Sequence, residues 1–181
     1  CMSVNAEIVH GVPGKRRLRE GDVLTVDCGA KHQGWIADGA WTFGVGEVTK
    51  EARTLLDATQ RALYASIACA RVGMRTGDVA STMQEEVERS GYNVIRHHTS
   101  HGIGRSLHED PQILNHGRAG TGTRLRHGMT IALEPMVLSG KPETQVLEDG
   151  WTVASIDGRL TAHYEHTIAI TDGETEILTK L

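Results

Sequence analysis

Thr49-Lys50-Glu51-Ala52-Arg53-Thr54-Leu55-Leu56 is where the hydrophobic period of this chain changes, and the fold class follows from what lies on either side of it. From here Leu55, Leu56, Leu63, Ile67 and Ala70 share one helical stripe as far as about Arg71. Thr49 is a residue type that caps a first turn, and Val72-Gly73 breaks the run. A second helix is expected from Thr76, as its cap, to Ser90, with Val79, Met83 and Val87 inward and Gly91 at its end. Upstream the period is that of strands. Glu7 to His10 reads as a short strand ended by Gly11-Val12-Pro13-Gly14, and Arg16, Arg17 and Arg19 follow in a solvated basic loop. Val23 to Asp27 alternates apolar and polar residues, Gly29 to Gly34 is rich in turn formers, and Trp35 to Phe43 returns as a hairpin partner. Downstream come strands over Asn93–His97, Met129–Val137, Gln145–Ile156, Leu160–Thr171 and Glu176–Thr179. Hairpin, two helices, then a run of strands predicts an α+β fold with both helices on one face of an antiparallel sheet.

The 181 residues are expected to form a single domain spanning 1–181. Nineteen basic residues against 23 acidic ones, a net charge of −4, argue against a nucleic-acid binder that works through a basic surface. No apolar run approaches the ~18 residues that a spanning helix needs, and no charged start leads into a signal-type apolar segment. Cys1, Cys28 and Cys69 make no CxxC pair and leave an odd thiol, which suggests a reducing compartment such as the cytoplasm and no disulfide framework. Aromatic residues are only 4 %, so the core must be aliphatic. The first residue is Cys rather than Met, so upstream sequence is expected to be missing.

Four carboxylates sit inside apolar, strand-forming sequence: Asp27 after Val23-Leu24-Thr25-Val26, Asp38 after Trp35-Ile36-Ala37, Glu134 in Leu133-Glu134-Pro135-Met136, and Glu165 in Tyr164-Glu165-His166. Taken singly, each reads as readily as a strand residue facing water. Together they call for a partner, because a buried unpaired carboxylate is costly and such groups pair or bind metal. His101-Gly102-Ile103-Gly104 adds an imidazole beside glycines that permit close backbone approach, and Leu107-His108-Glu109 follows. One pocket holding Asp27, Asp38, His101, Glu134 and Glu165 is an oxygen-rich set suited to Mn²⁺, Fe²⁺ or Co²⁺ more than to a structural thiolate zinc. Four negative charges balance two divalent ions. Alternation turns Cys28 to the face opposite Asp27, which argues against a thiolate ligand.

These residues, in order with Ser3-Val4-Asn5, His10-Gly11-Val12-Pro13, Gly21-Asp22-Val23, Gly128-Met129 and Asp149-Gly150-Trp151-Thr152, resemble type I methionine aminopeptidase over essentially the whole chain. The resemblance implies a pita-bread fold, a curved antiparallel sheet with helices on its outer face, around two divalent ions of cobalt, manganese, iron or zinc. Asp27 would chelate one ion, Asp38 and Glu165 would bridge both, and His101 and Glu134 would complete the other. His10 and His108 would face the substrate carbonyl, with Trp151, Leu107 and Cys1 at the methionine pocket. The implied reaction is removal of the initiator methionine from nascent polypeptide N-termini, with the ribosome as the implied setting, by attack of a metal-bridging hydroxide, with Glu134 moving the proton. The protein would act as a monomer, without nucleic acid or membrane. The family carries further sequence before Ser3-Val4-Asn5. Ser100, Leu107 and His163 stand where Gly, Phe and Gln are common, and the first two are expected to alter the pocket's shape. A sibling hydrolase cutting at Xaa-Pro bonds and a non-catalytic pita-bread binding protein are the alternatives.

Overall fold

Six short strands open the chain in the computed structural model, which describes residues 1–180. They are β1 (Met2–Val4), β2 (Glu7–Val9), β3 (Val23–Asp27), β4 (Ala30–His32), β5 (Trp35–Ala37) and β6 (Ala40–Gly44). Two helices follow, α1 (Lys50–Cys69) and α2 (Thr76–Arg89). The second half is again strands: β7 (Asn93–Val94), β8 (Thr99–Gly102), β9 (Glu109–Leu114), β10 (Thr130–Leu133), β11 (Met136–Leu138), β12 (Thr144–Val146), β13 (Val153–Ser155), β14 (Thr161–His163), β15 (His166–Ala169) and β16 (Glu176–Ile177).

α1 begins as its sequence predicts, with the Ala52 N–H donating to Thr49 Oγ1 at 3.1 Å. The cap of α2 is Arg75 rather than Thr76. The reason lies three residues on, where the Asp78 carboxylate reaches back to the Arg75 N–H at 2.7 Å and also takes the Gly120 N–H at 2.6 Å. Thr76 is thereby freed, and its hydroxyl accepts the Thr123 N–H at 3.1 Å.

Every strand pairing is antiparallel, but the sheet is divided into shorter ladders, in the orders β1-β3-β6, β16-β15-β10-β8-β9, β14-β11-β7, β12-β13-β2 and β4-β5. Four runs that sequence reads as continuous strands are broken. Trp35–Phe43 divides at Asp38-Gly39, Met129–Val137 at Glu134-Pro135, and Leu160–Thr171 at Tyr164-Glu165, while Gln145–Ile156 folds back over residues 147–152 as the hairpin of β12 and β13. At Asp38-Gly39, Glu134-Pro135 and Tyr164-Glu165 the chain leaves one ladder and enters another, β5 to β6, β10 to β11 and β14 to β15. Pro135 has no N–H to continue a ladder. β1, β4, β8 and β9 are not legible in the sequence. In β9 the Asp110-Pro111-Gln112 stretch is poor in strand formers, and pairing with β8 imposes the conformation.

The core is aliphatic, as composition requires. Leu55 and Leu63 of α1 and Met83 and Val87 of α2 pack with Ile131, Leu133, Val137 and Ile168, all fully buried. Each such side chain contributes roughly 1.5–3 kcal/mol. Ile131 and Leu133 face the helices, so by the period of two Ala132, in register with His101 and Thr167, turns to the opposite face. The site lies there.

Candidate metal centre

A cavity of about 530 Å³ opens between the two halves of the chain, with no lining from either helix. All ten residues singled out from sequence line it: Asp27, Asp38, His101, Glu134 and Glu165 with His10, His108, Cys1, Leu107 and Trp151. Asp38, His101 and Glu165 each place a donor atom within 4.8 Å of the other two, and Glu134, His163 and Glu165 form a second such group that shares Glu165. Asp27 closes the wall at the end of β3 but belongs to neither group. Cys28 is exposed and does not line the cavity.

The strand breaks are what hold the carboxylates in place. At each break the backbone N–H of the acidic residue leaves its ladder and is taken by another segment. The Asp38 N–H donates to Thr167 Oγ1 at 2.8 Å, and the same hydroxyl donates to the Asp38 carbonyl at 2.8 Å. The Glu134 N–H donates to Ser100 Oγ at 2.9 Å, and the Glu165 N–H to the Ala40 carbonyl at 2.8 Å. Ser100 is fully buried and absent from the cavity wall, so it anchors the Glu134 backbone instead of reshaping the pocket. Thr42 repeats the Thr167 clasp on the other half: its Oγ1 accepts the His163 N–H at 2.9 Å and donates to the His163 carbonyl at 2.6 Å. Gly102 is required sterically, because a Cβ there would lie 2.2 Å from the Asp110 carbonyl oxygen. Gly11 is as crowded, at 2.2 Å from the Met2 carbonyl oxygen, and sets β1 against the segment that carries His10.

Glu134 and Glu165 are nearly removed from water, with side chains 12 % and 2 % exposed. Among the described residues no Lys or Arg pairs with either of them; their nearest basic neighbours are the imidazoles of His101, 3.5 Å from Glu134, and His163, 3.4 Å from Glu134 and 4.0 Å from Glu165. Burial pushes the Glu134 carboxyl up to about 8, with Asp27 and Asp38 adding repulsion against His101's opposing attraction. Burial and the neighbouring Glu134 hold Glu165 well above the usual carboxylate range, and burial raises Asp38 as well. Burial pushes His163 down to about 4, so it is neutral at neutral pH. Glu134 and Glu165, buried and held short of ionisation by desolvation and mutual repulsion, with the neutral His163 ring beside them, fit a divalent cation, which would compensate both at once.

Around the mouth, His10 has a left-handed backbone (φ 63°) and stacks on Trp151 at 5.2 Å between ring centroids. Asp149 fixes that tryptophan by accepting the Trp151 N–H at 2.9 Å and the Thr152 N–H at 2.8 Å. His108 packs edge-on against His101 at 4.3 Å, on a loop whose Arg105 and Ser106 N–H groups donate to Glu109. Sequence reasoning missed His98 on the wall, edge-on to His10 at 5.6 Å, and the clasps of Thr42 and Thr167. His163 stands out in the sequence only as a departure from a common Gln; nothing local shows its approach to Glu134.

The chain belongs to metallopeptidase family M24, which matches it over residues 1–172. Within that family it is similar to methionine aminopeptidases. It is 44 % identical to methionine aminopeptidase 1 of Bacillus subtilis, over all of this chain and 73 % of that protein. The methionine aminopeptidase of Thermotoga maritima superposes with a TM-score of 0.98 at 50 % identity, over all of this chain and 73 % of the other. The prolidase of Pyrococcus furiosus shares the fold, with a TM-score of 0.80 at 24 % identity over 48 % of its length. The fold is the pita-bread fold of these enzymes, and no helix among the described residues is long and apolar enough to cross a membrane.

Proposed function

We propose that residues 1–181 are a single catalytic domain that removes the initiator methionine from nascent polypeptides. The observation that carries this reading is the pair Glu134 and Glu165, buried at the cavity without a Lys or Arg partner among the described residues, within a chain similar throughout to methionine aminopeptidases. Two divalent ions, of cobalt, manganese, iron or zinc, would be held by Asp27, Asp38, His101, Glu134 and Glu165 and would supply Lewis acidity and an activated water. Glu134, a carboxylate on the cavity wall, is placed to take up a proton and return it to the leaving amine. His108 donates a hydrogen bond to the oxygen that develops charge, and His10, braced on Trp151, orients the same carbonyl. The methionine side chain lies against Cys1, Leu107 and Trp151, and its free α-amino group binds on the Asp27 side, which restricts cutting to the N-terminus. On this reading the protein would meet nascent chains in the cytoplasm, at the ribosome, and act as a monomer.

The test is release of free methionine from Met-Ala-Ser, with and without chelator, beside N-acetyl-Met-Ala-Ser and an Xaa-Pro peptide. Chelator-sensitive release from the first peptide alone is expected. Cutting of the Xaa-Pro peptide would assign the sibling activity, and metal binding without any cleavage would leave a binding protein.

A further inference from the structure

We infer that His163 is itself a nitrogen ligand of the centre, so that an ion held by Glu134 and Glu165 meets an imidazole from each side. The inference rests on the metal reading above. His163 ends β14, in register with Met136 of β11, and Thr42 pins its backbone on both sides. Its ring is 1 % exposed, and neither ring nitrogen has a hydrogen-bond partner among the described residues. Nε2 lies 3.4 Å from Glu134 Oε2 and 4.0 Å from Glu165 Oε2. Donors bound at ~2.0–2.2 Å to one ion sit ~3.0–4.3 Å apart, depending on the angle between them. The separations from Nε2 to both carboxylates therefore already lie in the range of a shared coordination sphere, and the three residues keep their donor atoms within 4.8 Å of one another. The two oxygens of Glu134 face different histidines, Oε1 towards His101 at 3.5 Å and Oε2 towards His163. A residue present only to fill space here would be apolar, and one present only to hydrogen-bond the carboxylate would be met by an amide. An imidazole with a free nitrogen directed at two buried carboxylates is neither.

A second imidazole makes the centre softer and favours Co²⁺ over Mn²⁺ relative to a set with one. The probes are Co²⁺ alone and Mn²⁺ alone, titrated calorimetrically into the metal-free full chain. His163→Gln keeps a hydrogen-bond donor of similar reach but removes the nitrogen ligand. It is expected to weaken Co²⁺ binding by ~10–100-fold, the cost typical of disturbing a metal's surroundings, and Mn²⁺ binding by clearly less. Wild-type protein loaded with Co²⁺ is expected to show two solvent-exchangeable imidazole N–H proton resonances displaced by the paramagnetic ion, from His101 and His163. This second readout stands even where the variant does not fold. An unchanged Co²⁺ affinity and Co²⁺/Mn²⁺ ratio in His163→Gln, or a single displaced imidazole resonance in the wild type, overturns the inference and leaves the metal centre intact. Wild-type protein that binds neither ion overturns both.

Discussion

Removing metal from this protein and raising the pH from 6.5 to 8 is expected to destabilise it, and the sign follows from two buried groups. The Glu134 carboxyl is raised from 4.5 to about 8 in the folded chain, so between those values the folded state holds a proton that the unfolded state has lost. Stability therefore falls as pH rises through that window. His163 acts oppositely. Its folded value of about 4 lies below the ordinary 6.5, so the unfolded state binds the extra proton and stability rises with pH across that interval. The two slopes oppose one another up to pH 6.5; above it only the carboxyl slope remains, reinforced by Glu165, whose shift has the same direction. At about 1.36 kcal/mol per unit, Glu134 alone loses roughly 2 kcal/mol between pH 6.5 and 8. For a chain of this size that is a fall of about 4–8 °C in Tm. With metal bound the carboxylates are ionised at every pH in the window, and the slope disappears. The assay is thermal unfolding of chelator-treated and Mn²⁺-loaded protein at half-unit steps of pH. Glu134→Gln should reduce the slope of the chelated form while retaining the fold. A chelated protein whose Tm is flat from pH 6.5 to 8, or an equal slope with metal bound, would refute the reasoning.

Thr167→Val keeps the side-chain shape but deletes both hydrogen bonds to Asp38, and it is expected to cost about 1–3 kcal/mol in denaturant unfolding and to weaken metal binding. Ser100→Ala strands the Glu134 N–H and should show a similar loss, whereas Ser100→Thr, which keeps the hydroxyl, should recover part of it. His108→Ala is expected to lower kcat by about 10²–10³ while calorimetric metal affinity stays unchanged; equal losses in both would mean that His108 supports the ions rather than the substrate.

How far the sequence reaches is clearest at the carboxylates. Apolar, β-prone surroundings marked Asp27, Asp38, Glu134 and Glu165 as acids that needed a partner, and all four line one cavity with His101. The same signal misled about backbone. It ran strands straight through residues 38, 134 and 165, where the structure breaks them. Alternation reports which face a side chain takes, and a run of apolar residues looks the same whether its ladder is continuous or changes sheets midway. What ends each strand is a group far along the chain, such as the Thr167 hydroxyl 129 residues from Asp38.

The sequence by itself determined the two helices and their apolar stripes, the strand-forming character of much of the chain around them, and the identity of the acids that line the cavity. These depend on spacing and residue chemistry within a few turns of chain. Only the tertiary structure decided that Arg75 caps α2, that Ser100 holds Glu134, that Asp27 stands outside both donor groups, and that His163 faces Glu134. Each depends on two segments meeting at hydrogen-bond or van der Waals range. That meeting is set by packing and the seams between ladders, and local pattern carries no record of it.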